Sequence, residues 1–83
     1  MKKIKKKDLE ELIREEKAYW KDGQGERIGR IMELSKRISK QCGVDWLCIS
    51  HLAECVYAPM GFASEKPDEV LVAALRVLGV EVV

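Results

Sequence analysis

Glycine placement constrains this chain more than any other feature. Gly23 and Gly25 lie two residues apart in KDGQG, Gly43 stands alone, and Gly61 follows Pro59 by two. Glycine reaches positive φ at little cost, so each of these points ends a helix readily. Between them the apolar residues recur at helical spacing. Asp8 followed by Glu11 fits a helix start, after which Leu9, Leu12, Ile13, Tyr19 and Trp20 share a face. Tyr19 and Trp20 then cap the small core at the helix tip. A second helix is predicted from about Glu26 to Gln41, with Ile28, Ile31, Ser35, Ile38 and Cys42 spaced by three and four and Met32 and Leu34 beside them. The short link between these helices predicts an antiparallel hairpin.

Gly43 ends the second helix, and Asp45 is placed to cap a third over Trp46–Tyr57. A loop is expected from Pro59 through about Ser64. The fourth helix opens on Pro67-Asp68-Glu69, a proline and two acids that suit a first turn, and runs to Gly79. Val80–Val83 reads as a short strand or as an apolar tail that folds back or pairs with another chain. The expectation is an all-α domain of four helices with a short C-terminal strand as its one β element. Eighty-three residues allow one domain, placed at 8–83 behind a basic flexible arm at 1–7.

Charge is polarised along the chain rather than in sum. Basic residues number 15 and acidic residues 14, but five lysines fall within the first seven positions (Lys2, Lys3, Lys5, Lys6, Lys7). A second basic cluster, Arg27, Arg30, Lys36, Arg37 and Lys40, is offset only by Glu33. Such clustering permits contact with nucleic acid without demanding it. No apolar stretch approaches the roughly 20 residues of a spanning helix, and the basic start runs into DLEELIREE without the apolar core of a signal peptide. These features point to a cytoplasmic chain with no membrane contact.

Residues 34–52 read LSKRISKQCGVDWLCISHL. Ile38 and Ser39 precede the break, Cys42 stands before Gly43, Val44 follows it, and Ile49 and Leu52 lie on the next helix. This run resembles the helix-turn-helix unit of the lambda-repressor-like regulators of phages and bacteria. The closing KPDEVLVAALRVLGVEV resembles their last helix. The resemblance implies that Val44 packs under the turn and that Ile49 and Leu52 anchor a recognition helix. It implies that Asp45, Trp46, Leu47, Ser50 and His51 face the DNA bases. Phosphate contacts would then come from Ser35, Lys36, Arg37, Lys40 and the lysine arm.

The third helix carries two further readings. On a helical wheel Trp46, Ile49, Ala53, Val56, Leu52, Cys48 and Cys55 cover more than half the circumference, leaving Leu47, Ser50, His51 and Glu54 as a narrow strip. As a core helix it would bury Trp46 and expose Leu47. Cys48, His51 and Cys55 also share an edge that Cys42 could approach, a donor set suited to tetrahedral zinc. Paired C-x-x-C knuckles are missing and cysteine is a common apolar filler, so no metal and no cofactor are expected. An odd cysteine count argues against a disulfide framework. A cysteine–histidine nucleophile lacks an activating acid, so no enzyme is expected. Two functions follow: a regulator binding double-stranded DNA as a homodimer, or an adaptor or inhibitor that meets a protein partner through an apolar helix face.

Overall fold

The computed structural model describes residues 2–59 and 65–83. In chain order they form β1 (Lys2–Ile4), α1 (Lys6–Asp22), α2 (Glu26–Cys42), α3 (Trp46–Tyr57), α4 (Pro67–Val77) and β2 (Val80–Val82). The architecture is all-α, four helices with a two-stranded parallel sheet at one end. Beyond Pro59, the expected loop through Ser64 lies outside the described residues.

The helix ends follow from the glycines. Gly23 takes φ 67° and returns its N–H to the carbonyl of Tyr19, closing α1, and Gly43 at φ 73° does the same to Ser39 at the end of α2. Both conformations are left-handed, where a Cβ would be strained. The two helices are antiparallel, and three ion pairs mark the seam. Arg37 approaches Asp8 at 3.6 Å, Arg30 meets Glu11 at 3.1 Å and Arg27 meets Glu15 at 3.0 Å, so α2 steps back as α1 steps forward.

After Gly43 the chain turns and Asp45 caps α3, accepting a hydrogen bond from the Leu47 N–H at 3.1 Å. α3 then runs back beside α2. Lys36 Nζ sits 4.8 Å from the Trp46 ring centre, and Met32 and Ile28 line one pocket with Ser50 and Glu54. Pro67 starts α4, and the Tyr57 hydroxyl donates to Asp68 at 2.6 Å while Lys17 pairs with the same carboxylate at 3.2 Å. That knot ties α1, α3 and α4 together.

The core is drawn from every element, with Leu12, Leu34, Ile38, Ile49, Leu71 and Leu75 among its fully buried side chains. Burying each is worth roughly 1.5–3 kcal/mol, and a domain this small has few to spare. Two sequence expectations differ from the structure. Ile28, expected on the inner face of α2, is exposed, while Leu34 takes the buried place. Trp46 is only partly buried, because α3 presents Ile49, Ala53 and Val56 inward and its first turn lies at the rim.

The larger correction concerns the N-terminus. Residues 1–7 were expected to form a flexible arm, but Lys2–Ile4 is a strand in parallel register with β2, Lys2 against Val80 and Ile4 against Val82. Ile4 is 1% exposed, and the ladder continues as Val83 donates to the Ile4 carbonyl and the Lys6 N–H to the Val83 carbonyl. A two-stranded sheet is marginal alone. Here the buried side of Ile4 and Val80 supplies what the hydrogen bonds do not. α1 accordingly starts at Lys6, and Asp8, expected as its cap, is instead a buried side chain inside the first turn.

Candidate nucleic-acid interface

The pairing of β1 with β2 fixes five lysines relative to the helices. Lys2 and Lys3 stand on the strand, Lys5 follows it, and Lys6 and Lys7 open α1. The Lys5 backbone N–H donates to Gln41 Oε1 at 2.7 Å. Gln41 Nε2 in turn donates to Asp8, whose other oxygen faces Arg37 at 3.6 Å. This relay fastens the lysine segment to the last turn of α2, where Lys40 lies, with Lys36 one turn back. All of these lysines are exposed.

Charge partners divide these cations sharply. Arg27, Arg30 and Arg37 each meet a carboxylate, and Lys6 approaches Glu10 at 3.9 Å. Among the described residues no ion pair reaches Lys2, Lys3, Lys5, Lys7, Lys36 or Lys40, and Lys36 instead covers Trp46. One end of the molecule therefore presents cations that the protein does not neutralise.

The residues singled out in the sequence are distributed unevenly around this end. Lys36 and Lys40 are exposed there, and Arg37 is exposed but shared between Asp8 and Glu11. Ser35 is 0% exposed with an unpartnered hydroxyl, so it cannot touch a phosphate; it occupies a core position of α2. On α3, Asp45 is committed to the helix cap and Trp46 lies under Lys36. Leu47 is 59% exposed and His51 points outward, 4.0 Å from Glu54. Ser50 turns away from them and lines a pocket facing α1.

The cysteine edge is spread apart. Cys42 is buried in the core, Cys48 is exposed and Cys55 is half-buried, its sulfur 3.6 Å from His51 Nε2. Among the described residues no group of three or more histidine, cysteine or acidic side chains is arranged to hold a metal. No helix among them is long and apolar enough to cross a membrane.

Glu16 is the group that the sequence reading passed over. Its side chain is 3% exposed; Oε1 accepts the Trp20 indole N–H at 3.0 Å, and Oε2 has no partner. Burial pushes its pKa above the usual carboxylate range, Trp20 draws it back, and the charge of Glu54 raises it further. The signal was present in the spacing: Leu9, Leu12, Glu16 and Tyr19 follow one another by three and four, so an acid occupies a core register. Tyr57, hydrogen-bonded to Asp68 and half-buried, has its phenol pKa raised by burial first and the neighbouring carboxylate second.

Comparison with protein-family models gives no match, nor does comparison with curated proteins or with solved structures.

Proposed function

We propose that this chain is a small DNA-binding module of the regulator kind that grips double-stranded DNA by its phosphates. The observation that carries this reading is the fastening of β1 to α2 through Ile4, Gln41 and Asp8, which sets unpaired lysines of both segments at one end. Phosphate contacts release condensed counterions, and cations already held on a strand lose less freedom on binding than a loose arm would. Lys2, Lys3, Lys5, Lys36 and Lys40 supply those contacts. Trp46, Leu47 and His51, on the first turns of α3, are left to approach base edges, while Ser35 and Ser50 take no part.

The test is the salt dependence of binding to a short duplex. Log affinity should fall steeply with log salt between about 50 and 200 mM. Replacing Lys2, Lys3 and Lys40 together by Gln should flatten that slope by roughly one unit per lysine, with stability changed by less than about 0.5 kcal/mol. Affinity indifferent to salt, or a triple variant that binds like the parent, would overturn it.

A protein partner is the second reading, favoured by the C-terminal edge. In the parallel ladder Val83 points its N–H at β1, so Val82 directs its own away from it, while Val80 is buried in the core and offers no pairing edge. Val77, 86% exposed, and Val83, 59% exposed, are apolar residues on either side of β2 in the chain. An extended segment added along β2 would bind through backbone hydrogen bonds and barely respond to salt.

A further inference from the structure

Where α1, α2 and α3 meet, Glu16, Tyr19, Trp20, Met32, Ser50 and Glu54 surround a cavity of about 240 Å³, completed by the Ile28 and Ile31 side chains. Two carboxylates and no cation line it. Its deepest polar group, Glu16, is more than nine-tenths buried and has one oxygen unmatched. Native structures rarely leave a buried polar atom unpaired, since its desolvation is uncompensated. The Trp20 indole holds the other oxygen.

We propose that this cavity is a binding site for a small primary ammonium carried on an aromatic or branched apolar stem. The ammonium takes the unmatched oxygen of Glu16, which is covered in the ligand-free chain and is presented when the carboxyl turns toward the cavity, with Glu54 adding a second negative charge. Tyr19 and Trp20 lie edge-to-face with ring centres 5.0 Å apart. They and the aliphatic wall receive the stem. An ammonium near indole and phenol rings gains additional attraction from their faces. A neutral alcohol of the same shape fills the volume but offers the carboxylate only an uncharged hydrogen bond. The site is separate from the lysine end, so DNA binding and amine binding stand or fall independently.

Titration with 2-phenylethylamine, followed by the Trp20 indole and the Ser50 and Met32 backbone N–H signals in two-dimensional NMR, tests it. The amine should shift these signals saturably and bind about tenfold or more tightly than 2-phenylethanol, as a charge-assisted hydrogen bond implies. Glu16→Gln, which keeps an acceptor for Trp20, should reduce the amine to the affinity of the alcohol. Ser50→Leu narrows the pocket without touching Glu16 and should abolish binding of both, which keeps the proposal testable if Glu16→Gln fails to fold. Equal binding of amine and alcohol, undiminished amine binding by Glu16→Gln, no saturable shift, or shifts mapping instead to the acidic start of α4 at Asp68 and Glu69 would each overturn it.

Discussion

Asp8 and Glu16 lie eight residues apart on α1, about two helical turns, and both are almost wholly withdrawn from water, at 6% and 3% exposure. Their surroundings differ. Asp8 receives the Gln41 amide on one oxygen and faces Arg37 with the other, and Gln41 passes the connection on to the Lys5 backbone. Glu16 receives Trp20 alone. At the first end of the helix the protein completes its own hydrogen bonding, and the acid becomes a fastener for the lysine strand. At the second end the acid remains incomplete, and a cavity opens beside it. A buried acid is thus no single signal: its partners decide whether its hydrogen bonding is completed within the fold or left with an oxygen unmatched.

The sharpest way to break the first end is to remove the anchor of its strand. Ile4→Ala should cost about 2–4 kcal/mol, the range for truncating a fully buried isoleucine. A chemical-denaturation midpoint left unchanged would mean that the segment behaves as the loose arm its composition suggests. Because Ile4 holds β1 in place, the same variant, studied where it remains folded, should also lose DNA affinity although no lysine has been touched.

Asp8→Ala comes next, at about 1–3 kcal/mol, because Gln41 and Arg37 lose the acceptor they share. Thermal melting checks the loss. Amide hydrogen exchange at Lys5 checks the relay, since Gln41 is no longer held and the Lys5 N–H should exchange faster. Exchange at Lys5 unaltered in a destabilised variant would show that the strand is held by Ile4 alone.

How much of this was legible in the sequence depended on distance along the chain. The starts of α2, α3 and α4 at Glu26, Trp46 and Pro67 follow from local features, a glycine, a capping aspartate and a proline, each acting within a few residues. The strand at Lys2–Ile4 was hidden for the opposite reason. Its one core residue stands among lysines, and its partner, Val80–Val82, lies at the far end of the chain without the turn signature that announces a hairpin. The valine tail showed strand character but not its mate. At the candidate interface Lys36 and Lys40 stand out along the chain as part of a basic cluster, and both lie on the surface. Ser35 was given a phosphate contact by the resemblance although its own place in the three-and-four series of α2 marked it as inward-facing, and it is buried: residue type overrode position. Glu16 was missed by the same confusion of residue type with position.

The smallest effect expected is also the one that separates the two acids most cleanly. Glu16 has its pKa raised in the folded chain, chiefly by burial, so the native state holds its proton more firmly than the unfolded chain does. Stability linked to that group is therefore intact below the unfolded carboxyl pKa of about 4.3, and falls as pH rises from there through the higher folded value. Glu16→Gln removes the titration while keeping an acceptor for the indole. It should match or exceed the parent in stability at pH 7, and the advantage should shrink toward zero as both are acidified to about pH 4. Asp8→Asn provides the contrast: it replaces the acceptor that Arg37 and Gln41 share with an amide, so this variant should be less stable than the parent at pH 7. Denaturant titrations of parent and both variants at the two pH values decide the matter. A Glu16→Gln variant weaker than the parent at neutral pH would mean that the carboxylate is satisfied after all, by rearrangement of Ser50 or the pocket rim, and the distinction between the two ends of α1 would disappear.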